Sequence, residues 1–182
     1  MPSGNADRTM SAWVNPTSFE GLNWASASIG GWGEPERGQK PNMGLSYFTM
    51  TGRGQPRFHL YGFDPRCASL LPRDEWRYIV LGVSGDMVRF YVDGILEQTI
   101  NNNGELVSKL GTLRTPVSTP VDLGDHGNGR GPFNGALDEV RFESVARSAN
   151  WLKLCFENQK PLQSLVGPLV QDGDEFSVSE SN

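Results

Sequence analysis

The sequence contains no apolar run near the roughly 18–20 residues a membrane-spanning helix needs, so insertion into a bilayer is not expected. It has no block of like charges. Its 16 Lys and Arg against 21 Asp and Glu give a net charge of −5, and no basic stripe is interleaved with aromatics. A phosphate backbone demands clustered Lys and Arg, so this balance argues against nucleic acid as a partner. Cysteine is scarce, with only Cys67 and Cys155. Their spacing excludes a CxxC redox pair and offers too few ligands for a cysteine zinc site; one disulfide and two buried thiols both stay open. Histidine is as scarce. Neither His59 nor His126 has a serine or cysteine partner at a nucleophile elbow. They read as a strand histidine and a solvated loop histidine. Met1-Pro2-Ser3-Gly4-Asn5 has neither the charged region nor the apolar core of an export signal.

What the sequence has in abundance is turn residues. Twenty-two glycines and twelve prolines lie between short apolar runs, in a chain that is 37% hydrophobic. That is enough apolar content for a core, and the pattern favours many short strands over long helices. Strands are expected at Thr9 to Val14, ended by Pro16, then near Ala25–Ile29, at Met43 to Met50 and at Arg57 to Phe63. A meander follows: Arg77 to Val83, a turn at Ser84-Gly85-Asp86, Met87 to Val92, a tight turn at Asp93-Gly94, and a return over Ile95 to Ile100. Asp-Gly is a strong hairpin signal because a primed turn needs positive φ. Val121 to Leu123 and Ala136 to Glu143 read as further strands. Ser148-Ala149-Asn150 reads as the start of a short helix that ends before Pro161, with Trp151, Leu152, Cys155 and Phe156 on one face.

The order of these landmarks resembles the laminin-G-like domains of the concanavalin-A-like lectin/glucanase superfamily. Arg8 to Pro16 is similar to that family's early core strand. Glu75 to Val80 and Met87 to Gly94 resemble its central hairpin, Phe133 to Phe142 its closing strand, and Ser144 to Trp151 the segment that follows in bacterial members. The resemblance runs from about Arg8 to Pro161. It implies an all-β, two-sheet antiparallel jelly-roll sandwich with one short C-terminal helix, over residues 1–166. Residues 167–182 would be a linker or the start of a following module. It also implies a secreted or cell-surface multi-domain protein, extracellular and often bacterial. Such domains usually begin with a strand some tens of residues before the Trp13 motif, whereas here about seven residues precede it. An absent first strand would leave an exposed edge.

The chemistry expected is binding. Superfamily glucanases carry paired carboxylates on one strand, and hydrolysis usually needs two carboxyl groups flanking a cleft. Asp138-Glu139 and Glu143 come nearest to that pattern, but adjacent carboxylates on a strand point to opposite faces. No catalytic residue is therefore assigned, and a glucanase-like hydrolase is the least favoured reading. Carbohydrate binding needs a flat aromatic and planar polar side chains. Trp24 and Trp32, with Glu34 and Arg37, sit in a glycine-rich excursion; Tyr61, Asn128, Arg130 and Asn134 are further candidates. Against this, a large aromatic can simply cap an open sandwich end. Trp13 and Trp76 fall at positions that are core in the family. A structural Ca2+ would want hard oxygen ligands, and the resemblance points to Asp138 on the closing strand. Asp122 and Asp125 form a second possible cluster with Asn128, unless they serve as turn residues. The reading is a non-catalytic, lectin-like module for a glycan or polysaccharide. The alternative is a protein–protein or adhesion module meeting a surface protein.

Overall fold

The computed structural model describes residues 1–19, 27–33, 45–60, 64–115, 120–125, 131–160, 169–172 and 175–178. In chain order the strands are β1 (Arg8–Ser18), β2 (Ala27–Gly33), β3 (Leu45–Met50), β4 (Pro56–His59), β5 (Arg66–Cys67), β6 (Arg77–Ser84), β7 (Met87–Val92), β8 (Ile95–Glu97), β9 (Thr99–Ile100), β10 (Val121–Leu123) and β11 (Asn134–Glu143). Helix α1 (Ala149–Gln159) follows, then β12 (Leu169–Asp172) and β13 (Glu175–Val178), which pair only with each other. A five-stranded sheet runs β11-β1-β6-β7-β8, and a six-stranded sheet runs β10-β2-β3-β4-β5-β9. All pairings are antiparallel. This is the expected two-sheet sandwich with one short helix.

The sequence dictates it through alternation. Met10, Ala12 and Val14 of β1, Ile79, Leu81 and Val83 of β6, and Val88 and Phe90 of β7 point inward. They meet Ala27, Ile29, Phe48, Met50 and Phe58 of the other sheet. A side chain reverses face at every residue of a strand, so Ser11 and Trp13, Tyr78 and Val80, and Tyr91 face outward. On the five-stranded sheet that outer face is also covered. Leu152, Trp151, Cys155 and Phe156 of α1 pack on Trp13, Tyr78, Val80 and Tyr91 as a second apolar cluster. Because β1 is buried on both faces, its sequence alternates only loosely. Ser148 caps the helix, its side chain accepting from Trp151 N at 3.3 Å. The helix sits on the Asp93-Gly94 turn, where both residues have positive φ (52° and 76°). A Cβ on Gly94 would lie 2.9 Å from Lys153 Cα, so this glycine serves the close approach of the helix as well as the turn.

Several boundaries differ from expectation for identifiable reasons. β1 runs through Pro16 to Ser18. The Pro16 carbonyl accepts from Asp74 N, on the side where pairing with β6 has already ended at Val14, so the missing proline N–H falls outside the ladder. The single strand expected over Ile95 to Ile100 is two strands. β8 belongs to one sheet and β9 to the other, so the chain changes sheets around Gln98, a known way of making a sandwich corner. The residues before β1 are held to the body: Gly4 N donates to Thr115 O, and Trp32 Nε1 donates to Pro2 O. Arg8 is fully buried between them. It donates to Ala6 O, Gly4 O and Thr115 Oγ1 and lies over the Trp32 ring at 5.7 Å. Burial lowers its pKa to about 10, against the opposing effect of Asp7. The cysteines are two free thiols in different clusters. Cys67 lies in the main core, where burial pushes its thiol up to about 11, and Cys155 lies on the inner face of α1. Among the described residues no helix is long and apolar enough to cross a membrane.

Gly135 is the tightest point of the fold. It has φ 146°, and a Cβ there would fall 2.1 Å from Asn15 O of β1. Gly135→Ala is expected to cost about 3 kcal/mol or more in urea unfolding, whereas Gly104→Ala, whose Cβ meets no heavy atom within 4 Å, bears only the strain of its own positive φ. Equal losses would show that β1 and β11 separate without cost.

Candidate functional site

The outer face of the six-stranded sheet is polar. Ladder register puts Tyr47 opposite His59, Thr49 opposite Arg57 and Ser28, Arg57 opposite Arg66, and Gly31 between Asp122 and Tyr47. Their inward neighbours Phe48, Met50 and Phe58 anchor this face to the core. The side chains interlock. Tyr47 OH donates to Asp122 Oδ2, and Arg57 Nε donates to Thr49 Oγ1 at 3.2 Å. Asp64 gathers three groups: Leu60 N donates to it at 2.8 Å, His59 Nδ1 stands at 3.2 Å and Arg57 at 3.8 Å. Arg66 Nη2 donates to Asn102 O at 2.9 Å. Two buried polar atoms of this array, Ser28 Oγ and Arg66 Nε, have no hydrogen-bond partner among the described residues. Unsatisfied buried polar atoms are uncommon and ask for an explanation.

The electrostatics of the array are set by burial and by mutual pairing. Burial alone would raise the Asp64 pKa, but it is outweighed by the His59 hydrogen bond and charge, the Arg57 charge and the Leu60 amide. The net shift is below the ordinary value of 3.8. A general acid needs the opposite shift. Burial raises the Tyr47 pKa, helped by its hydrogen bond to Asp122 and the charges of Asp122 and Asp125. Burial lowers that of Arg57 despite Asp64.

The residues expected from sequence are not gathered in one place. Trp32 is a correction. It is 1% exposed, inside the core, edge-on to Phe142, with Nε1 bonded to Pro2 O, and so offers no face to a ligand. The reason is register: Trp32 pairs with Ser46 on the same face as the core residue Phe48. Asp122 and Asp125 lie at the β10 edge of the polar face, near Tyr47. Asp138 is on the other sheet, opposite Trp13. Asn134 opens β11, paired with Ser18. Trp24, Glu34, Arg37, Tyr61, Asn128 and Arg130 lie outside the described residues. Among the described residues no three His, Cys, Asp or Glu side chains are grouped to hold a metal. Asp138 and the Asp122–Asp125 pair, the two separate places considered for an ion, lie on different sheets.

Two features escaped the sequence. His59, Arg57, Asp64 and Arg66 form one array through the β4–β5 pairing and through Asp64, which turns back on β4 from the connection between them. Second, Asp138 and Glu139 do not point to opposite faces. β11 bulges against β1 between Ser11 and Trp13, and Glu139 takes φ 49°. The break in alternation brings both carboxylates to one cleft, with Trp13, Trp76 and Gln159. Trp76, expected in the core, is 41% exposed.

The fold and this register define an antiparallel lectin-type sandwich. The chain belongs to the laminin-G-like family Laminin_G_3 of the concanavalin A-like lectin/glucanases superfamily, matched over residues 2–153. A search of curated proteins finds no match. Among solved structures, the chain is similar to domain 4 of AbnA, a GH43 extracellular arabinanase from Geobacillus stearothermophilus in complex with arabinotriose. The TM-score is 0.57 at 16% identity, covering 84% of this chain and 67% of that one. It is also similar to the CBM40 of a Ruminococcus gnavus IT-sialidase bound to α2,3-sialyllactose (TM-score 0.56, 16% identity, 85% and 83% covered). Against Trypanosoma rangeli sialidase the figures are 0.56 and 18%, with 85% of this chain covered and 23% of that one, so it spans under a quarter of that enzyme. At these identities the likeness establishes the fold.

Asp64→Asn removes a carboxylate whose pKa is lower folded than unfolded, so its stabilisation is present above the unfolded value near 3.8 and is lost as pH falls through the folded one. The stability gap between wild type and variant is expected to be full at pH 7 and to narrow below about pH 4. A gap independent of pH in urea unfolding would contradict the ion-paired arrangement.

Proposed function

We propose that this chain is a non-catalytic carbohydrate-binding module that takes an oligosaccharide on the outer face of its six-stranded sheet. The observation that carries the reading is the array of planar hydrogen-bonding side chains there, Arg57, His59, Arg66, Asp64 and Asp122, of which Arg66 and Asp122 are partly exposed and Arg66 Nε has no partner among the described residues. Guanidinium, imidazole and carboxylate groups held by mutual bonds are pre-ordered for sugar hydroxyls, which limits the entropy lost on binding. The balance of cations and anions favours hydroxyl recognition over capture of a single charge. Support also comes from the superfamily and from the saccharides bound by two structurally similar domains. The context proposed with it is extracellular, as one module of a larger protein.

The test is a glycan-array screen of the purified chain, followed by calorimetry on hits. Arg66→Ala removes a partly exposed guanidinium and is expected to weaken binding about tenfold or more, the magnitude of one hydrogen bond to a charged group. Unfolding midpoints of the variant and wild type should agree. A clean negative from folded protein would overturn the reading and favour a protein contact. Repeating the screen in EDTA with Ca2+ add-back tests the proposed Asp122–Asp125 ion: loss and recovery together would support it, and unchanged binding would remove it.

A further inference from the structure

The cleft on the outer face of the five-stranded sheet lies across the sandwich from the polar array. It has a volume of about 370 Å3 and is lined by Trp13, Trp76, Asp138, Glu139 and Gln159. That is within the roughly 300–1,000 Å3 of small-molecule sites. Its parts come from three places in the chain. Trp76 stands just before β6, and the pairing of Trp13 with Tyr78 and Val14 with Arg77 carries it to the end of that ladder, beside β1. Asp138 is the direct partner of Trp13 on β11, and Gln159 is the last residue of α1.

The cleft has a rigid floor and an open platform. Trp13 is 8% exposed, stacks on Phe156 at 5.8 Å, meets Tyr78 at 5.6 Å, and donates its Nε1–H to Gln159 Oε1 at 2.8 Å. Trp76 keeps 41% of its surface in solvent, in a fold that buries Trp13 and Trp32. A large aromatic face left accessible beside polar groups is an amphipathic surface of the kind the apolar face of a sugar ring covers. Hydrogen-bonding groups surround it. Asp138 Oδ1 accepts from Glu139 N, and Glu139 is ion-paired to Arg141. Gln159 uses its carbonyl on Trp13, so its NH2 is the donor it can present to the cleft.

We infer that this cleft is a second saccharide site, selective for an uncharged sugar ring stacked on Trp76 with its hydroxyls donating to Asp138 and Glu139. The inference rests on the glycan-binding reading above and adds a separate site and a substrate class to it. The two exposed carboxylates on the rim disfavour uronic and sialic acids through like-charge repulsion, Asp138 more than Glu139, which is paired with Arg141. The bulge at Glu139 is the device that makes the site, because an unbroken strand would send one of the two carboxylates to the core side. Two sites on opposite faces would let one module bridge two polysaccharide chains or gain avidity on one.

The test compares the full chain with Trp76→Ala, Trp76→Phe, Asp138→Asn and Arg66→Ala. The probes are a panel of neutral oligosaccharides, including lactose and arabinotriose, with α2,3-sialyllactose as the acidic counterpart of lactose. Trp76 and Asp138 are exposed, so unchanged thermal midpoints are expected to accompany the variants. Trp76→Ala should weaken a neutral oligosaccharide about tenfold. Trp76→Phe should retain part of the affinity, and Asp138→Asn should improve tolerance of the sialylated probe relative to lactose. Arg66→Ala should leave this component of binding intact. If neutral-sugar binding survives Trp76→Ala but is lost in Arg66→Ala, the second site is wrong while the module's function stands. If no saccharide binds the folded wild type, both fall.

Discussion

The pairing of β1 with β11 governs the rest of the molecule. β1 lies between β11 and β6, with Met10, Ala12 and Val14 in the main core and Trp13 beneath the helix. Against this doubly buried strand β11 runs one residue out of step, with Glu139 at φ 49° taking up the extra residue. The pairing needs Gly135, whose missing side chain leaves room for the Asn15 carbonyl. Moving the bulge would reverse the facing of every β11 side chain beyond it. Phe142, which packs edge-on to Trp32, and Asp138, which partners Trp13, depend on the same offset.

With the core fixed by this strand, the two outer faces of the sandwich diverge. The five-stranded sheet buries the Trp13, Tyr78, Val80 and Tyr91 part of its outer face under α1 and leaves a cleft beside Trp76. The six-stranded sheet carries Tyr47, Thr49, Arg57, His59 and Arg66 outward, and their charges are compensated by Asp64 and Asp122. A sheet needs one apolar face to fold, and Phe48, Met50 and Phe58 supply it here. The opposite face carries polar side chains of which Tyr47, Thr49 and His59 are buried, and Arg66 and Asp122 are its partly exposed groups. Mutual ion pairing keeps that array ordered, although buried pairs of this kind add little net stability because desolvation offsets their attraction.

Much of the fold was legible. Strand periodicity, the Asp93-Gly94 turn, the Ser148 cap and the helix face of Trp151, Leu152, Cys155 and Phe156 are local signals, and the structure carries each of them. The order of landmarks identified the superfamily for the same reason. The candidate sites were far less legible. Trp32 was expected at a surface and is core, whereas Trp76 was expected in the core and is exposed. Both outcomes are decided by register and strand ends, which depend on partners distant in sequence. Asp138 and Glu139 were assigned to opposite faces by alternation, a rule the bulge suspends. The polar array of Arg57, His59, Asp64 and Arg66 falls within ten residues, but the β4–β5 pairing and the turn of Asp64 back onto Leu60 N assemble it, and alternation alone displays neither.

The most direct test of the account is an amide and indole NMR titration of the chain with an oligosaccharide found by screening. Five tryptophans give five indole N–H signals, each a reporter of its own environment. The account predicts that signals of the β3–β4 polar face and the Trp76 indole move with saturating ligand, while the Trp32 indole, bonded to Pro2 O in the core, stays fixed. Shifts confined to core signals such as Trp32, or no saturable shift on either outer face, would contradict it.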